Sequence, residues 1–75
     1  MFRKYLERRV GKNTRYYLIE LYLNLFGEYI LERTYGNIVH KKFTGKVIEF
    51  FDSKDSAVKK MEKIVKEKER KGYRL

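Results

Sequence analysis

Residues 15–31 read RYYLIELYLNLFGEYIL, and they carry the clearest strand pattern in the chain. Every position from 16 to 23 except Glu20 is aromatic or aliphatic, so a strand formed here would be apolar on both faces. That pattern is typical of an inner strand of a sheet. A turn ending in Gly27 follows, where glycine tolerates a positive φ, and the apolar run at 29–31 comes next. The stretch therefore predicts a β-hairpin whose first strand lies inside a sheet.

Other segments of strand length flank this hairpin and are separated from it by glycines. Residues 2–10 and 46–51 are rich in aromatic and β-branched side chains, and residues 38–43 form a weaker candidate. The charge carried by residues 2–10 suits an edge strand protected from pairing with other chains. The sequence therefore predicts an antiparallel sheet of four or five strands.

From Ser53 onward the hydrophobic period changes to that of a helix. Asp52 or Ser53 can cap its first turn, and Gly72 follows its basic last turn. The apolar stripe consists of Ala57, Met61, Ile64 and Val65. We expect about five helical turns, with this stripe packed on the sheet. The predicted fold is α+β, a four- or five-stranded antiparallel sheet against one C-terminal amphipathic helix.

Composition limits the classes of function. A chain of 75 residues has room for one domain, which we assign to residues 1–75. There is no cysteine and one histidine, so no disulfide framework and no zinc site is expected. No apolar run is long enough for a membrane span and no signal core is present, so we expect a cytoplasmic protein without a membrane partner.

The charge of the chain indicates a polyanionic partner. Lysine and arginine number 19 against 10 aspartate and glutamate, a formal charge of +9. Nucleic acid is the first candidate. High lysine content also keeps small proteins soluble, and this explanation stays open.

Four short motifs, taken with Ala57, resemble the WGR domain of poly(ADP-ribose) polymerases and of bacterial proteins such as the molybdate metabolism regulator. The motifs are NTRYYLIEL at 13–21, RTYGNI at 33–38, FDS at 51–53 and KGY at 71–73. The resemblance covers nearly the whole chain. It implies an antiparallel sheet with one packed helix and a non-catalytic module that binds nucleic acid.

The naming tripeptide Trp-Gly-Arg is degenerate in this chain. Tyr35-Gly36-Asn37 keeps an aromatic ring and the glycine but replaces the guanidinium with an amide. The resemblance implies that Tyr35 packs on a sugar or base and that basic neighbours bind phosphates. Asn37 can contact a phosphate but carries no charge, so weaker binding than in relatives with the full motif is expected.

The predicted nucleic-acid site comprises residues around this motif. Its members are Tyr35, Asn37, Arg33 on the same strand face, Asn13 at the opening of the second strand, and Lys41, Lys42 and Lys46. Two other interpretations stay open, namely that Tyr35 only packs at a strand end and that the lysines are solvated.

No nucleophile, base or phosphate loop occurs at a recognisable spacing, so we expect no enzyme activity and no cofactor. We expect binding to DNA rather than RNA, at ends or breaks and without sequence reading. The alternative is an adaptor that docks an acidic protein.

Overall fold

The sheet has four antiparallel strands that follow one another in chain order. The computed structural model describes residues 2–39 and 43–75. The elements are β1 (Phe2–Val10), β2 (Asn13–Leu23), β3 (Tyr29–Asn37), β4 (Gly45–Phe51) and α1 (Lys54–Arg70). The predicted α+β class and the inner position of β2 are confirmed. Of the weaker candidate strand at 38–43, residues 38 and 39 form a turn, residue 43 belongs to no strand, and residues 40–42 lie outside the described residues.

The turn between β2 and β3 is organised by Asn24. Its side-chain Oδ1 accepts hydrogen bonds from the backbone N–H groups of Phe26 and Glu28, both at 2.9 Å. Gly27 has φ +79°, as the sequence predicted. The side chain and the glycine together set the register between the two inner strands.

Side chains alternate between two faces of the sheet. Odd positions of β2, β3 and β4 and even positions of β1 point toward α1, and we call this the helix-side face. The opposite face is called the open face. The core between helix and sheet consists of Leu6, Tyr17, Ile19, Leu21, Leu31, Ala57, Met61 and Ile64. Three members of the predicted helix stripe are thus buried, and the fourth, Val65, packs at the margin.

Helix α1 is closed at both ends by local hydrogen bonds. At its start, the Ser53 hydroxyl accepts from the backbone N–H of Ser56 at 3.2 Å, which confirms the predicted cap. At its end, Tyr73 N donates to Lys68 O and Gly72 N donates to Glu69 O, the pattern of a Schellman motif. Within the described ranges, no helix has the length and hydropathy needed to cross a membrane.

The residues after α1 return to the sheet. Gly72, with φ +103°, reverses the chain. Arg74 then pairs with Glu7 through two backbone hydrogen bonds of 2.7 Å each. This bridge lies on the outer edge of β1 and holds Tyr73 against Tyr17, so the C-terminal residues complete one end of the molecule.

Candidate nucleic-acid interface

Tyr35 lies near the end of β3 on the helix-side face and is half-buried. Its ring stacks on the ring of Tyr17 in β2, with centroids 5.4 Å apart and planes inclined by 5°. Toward β4 the ring passes over Gly45, where an added Cβ would lie 2.5 Å from it. Both neighbouring strands therefore hold Tyr35 in place, and the pair of rings forms a rigid aromatic wall.

A cavity of about 80 Å³ opens beside this wall at the end of the sheet. It is lined by Arg15, Tyr35, Gly36, Asn37, Thr44 and Tyr73. Two aromatic rings, a guanidinium, an amide and a hydroxyl thus converge in one place. These are the groups with which proteins contact sugars and phosphates of nucleic acids.

Arg15 was not among the residues that the sequence predicted for the site. It is exposed on β2, and antiparallel pairing places it directly opposite Asn37 on one side and Arg8 on the other. Within residues 2–39 and 43–75, no carboxylate forms an ion pair with Arg15. A guanidinium without an ion-pair partner in these ranges thus stands beside Asn37, on the neighbouring strand. Strand alternation from Tyr17 indicated the face of Arg15, but its partner across the sheet depends on the register.

Asn37 ends β3 and shapes the turn that follows. Its Oδ1 accepts a hydrogen bond from the backbone N–H of Val39 at 3.1 Å. The preceding Gly36 is buried, and a Cβ there would lie 2.9 Å from the backbone nitrogen of Thr44. That nitrogen donates to the carbonyl of Tyr35 at 2.8 Å. The glycine therefore allows the chain to approach itself, which accounts for its place in the motif.

Arg33 shares the helix-side face with Tyr35, as predicted, but its guanidinium is used within the protein. Its Nη2 donates to Oε1 of Glu49 at 2.9 Å, across β3 and β4. Its Nε is buried without a partner in the described structure. Because Glu49 neutralises it, Arg33 holds the two strands together and offers little free charge to a phosphate.

Lys68 extends the positive charge behind the aromatic wall. Its Nζ lies 4.5 Å from the centroid of the Tyr17 ring and 6.0 Å from that of Tyr73. Burial lowers the pKa of Lys68, and the charges of Lys71 and Arg33 lower it further. Burial also raises the pKa of Tyr17, against the opposing effect of Arg33. An anion bound at this end would favour the charged form of Lys68.

The other predicted site residues are spread more widely. Asn13 is exposed at the start of β2, on the same face as Arg15. Lys46 lies opposite Thr34 on the open face, where its Nζ is 3.4 Å from Oε2 of Glu32. Its side chain thus points away from the face that carries Tyr35. Lys41 and Lys42 lie outside the described residues.

Comparison with protein families matches the WGR domain model to residues 2–75. The chain belongs to the WGR family. Searches of curated proteins and of solved structures gave no match. WGR domains are binding modules that are associated with nucleic acids in poly(ADP-ribose) polymerases and related proteins. The resemblance to the WGR domain is therefore confirmed at the level of the family.

Proposed function

We propose that this WGR domain binds DNA through the cavity beside Tyr35, without reading its sequence. The observation that carries the proposal is Arg15, which has no ion-pair partner among the described residues and stands next to the stacked rings of Tyr35 and Tyr17. A guanidinium binds a phosphate in bidentate fashion. The faces of the Tyr35 ring are covered by Tyr17 and Gly45, so the ring offers a sugar or base the edge that lines the cavity. Arg8, also exposed, extends the basic row.

Ends and breaks are the preferred form of DNA in this proposal. Inside a duplex each base is stacked on both sides, so an aromatic wall finds no free surface there. A terminal or nicked nucleotide offers one face of its base and an accessible sugar. The small cavity of about 80 Å³ suits such a local contact rather than a groove-spanning one.

Binding of labelled duplexes tests the proposal. The set comprises blunt ends with and without a 5′-phosphate, a nicked duplex, a closed circle and a blunt RNA duplex, each at two salt concentrations. Arg15→Gln should weaken end binding and flatten the salt dependence by about 0.9 units, the value for one phosphate. Arg9→Gln is the matched control, because it removes the same charge near the same end of the sheet from the open face. Equal losses from the two variants would contradict the proposed site.

The alternative is an adaptor whose basic surface docks an acidic protein. The replacement of the motif arginine by Asn37 favours it, since that change removes a charge from the nucleic-acid contact. The same titration separates the two functions. Absence of binding to every duplex, even at low salt, would favour the adaptor.

A further inference from the structure

The open face of the sheet differs in charge from the rest of the chain. Its strands bear three basic side chains, Arg3, Arg9 and Lys46, and three acidic ones, Glu7, Glu20 and Glu32. Arg74, which pairs with Glu7 at the outer edge of β1, adds one more positive charge to this face. Four positive against three negative side chains leave little of the formal charge of +9 on this face. Most charges of the open face are also satisfied on the face itself. The contacts are Arg3 to Glu20 at 3.9 Å, Lys46 to Glu32 at 3.4 Å, Tyr22 to Glu32 at 3.0 Å and Tyr5 to Glu7 at 2.8 Å.

The same face presents an apolar surface to solvent. Ile30 is only 4% exposed although α1 lies on the other side of the sheet, and its cross-strand neighbours are Tyr22 and Phe50. Phe50 itself is 61% exposed and Ile48 is 47% exposed. Toward β1, Tyr5 and Tyr16 stack with ring centroids 6.2 Å apart. Large apolar and aromatic side chains thus form a patch that extends across all four strands. Single exposed apolar residues are common on protein surfaces, but a patch of this extent is not.

We propose that the open face binds the same face of a second copy of this chain. Charge decides the occupant. Two copies that approach through their basic surfaces bring positive charge against positive charge, whereas two open faces meet as nearly neutral surfaces with exposed apolar side chains and mostly paired charges. A nucleic acid is disfavoured here, since Glu7, Glu20 and Glu32 offset most of the positive charge of the face.

The area available agrees with a reversible dimer. Four strands about 4.8 Å apart and about 30 Å long present on the order of 600 Å² per copy. The pair would bury about 1,200 Å² in total, at the lower end of the range for specific interfaces. Association should therefore depend on concentration. It should also strengthen with salt, because salt screens the repulsion between two highly positive bodies. Nucleic-acid binding has the opposite salt dependence, so the two properties can be told apart.

Sedimentation equilibrium of the full chain tests the proposal. The average mass should rise from 9.2 kDa toward twice that value as the concentration increases from micromolar to millimolar. Ile48→Lys combined with Phe50→Lys should keep the chain monomeric. The matched control is Leu25→Lys with Phe26→Lys, which adds the same charge and removes two apolar side chains that are 100% and 86% exposed in the hairpin turn. The control should associate as the unchanged chain does.

A second measurement needs no variant. When the unchanged chain is diluted, the amide chemical shifts of residues around Phe50 and Tyr22, whose side chains lie on the open face, should change. Those of residues on the outer face of α1 should stay constant. A monomer at every concentration would overturn the proposal. So would equal loss of association in both double variants, or dilution shifts confined to the helix. Circular dichroism of each variant confirms that the comparison is made between folded chains.

Discussion

Tyr35 contributes to the fold as well as to the proposed binding site, because its ring stacks on Tyr17 and covers Gly45. Tyr35→Ala should lower the free energy of unfolding by about 2 kcal/mol, less than for a fully buried ring. In the folded variant, DNA binding should weaken by about 1 to 3 kcal/mol with an unchanged salt dependence, since a surface is lost and no charge. Tyr35→Phe should retain both properties. Unchanged affinity of folded Tyr35→Ala, measured by fluorescence anisotropy, would remove Tyr35 from the site.

Asn37 tests whether the charge of the family motif can be restored. Asn37→Arg should tighten DNA binding and steepen the salt dependence by up to about one unit, as expected for one more neutralised phosphate. Arg15 lies directly opposite, so the new like charge should slightly destabilise the free protein. Leu25→Arg adds the same charge at the distant hairpin turn and serves as the control. If both variants tighten binding equally, residue 37 does not face the nucleic acid.

At the scale of one element, the cap of α1 makes a separable contribution to stability. Ser53→Ala removes the acceptor for the Ser56 N–H and should lower the free energy of unfolding by about 1 kcal/mol. Ser56→Ala removes only the hydroxyl that pairs with Ser53 and leaves the N–H bonded, so it should cost less. Urea denaturation of both variants measures the difference. Equal losses would show that the contact between the two hydroxyls, and not the cap, provides the stability.

For the whole molecule, the distribution of charge matters more than its total. Replacing Lys59, Lys63 and Lys66 with Gln removes three charges from the exposed part of α1, whereas Arg8→Gln with Arg15→Gln removes two from the row beside the cavity. Despite its smaller charge change, the arginine pair should flatten the salt dependence more, by up to about two units. Titration of one blunt duplex across salt concentrations compares them. A larger effect of the lysine triple would indicate diffuse attraction and would contradict the site proposed here.

The order of the elements, the buried stripe of α1 and the resemblance to the WGR family could be predicted from the sequence alone, which left the cap of α1 open between Asp52 and Ser53. These depend on information that is local along the chain, namely the period of apolar residues, the turn at Gly27 and motif spacing. With short turns between neighbouring strands, an antiparallel sheet in chain order follows from the same information.

Which side chains share the end of the sheet could be read from the folded chain but not from the sequence. A shift of one residue in register moves every side chain to the opposite face, and no local pattern specifies that register where both faces are apolar, as in β2. Register places Arg15 opposite Asn37 and Lys46 on the open face. It also brings Glu49 within reach of Arg33, which removes that charge from the site. The separation of a nearly neutral open face from a basic helix side arises in the same way, because long-range pairing, not composition, sorts the charges.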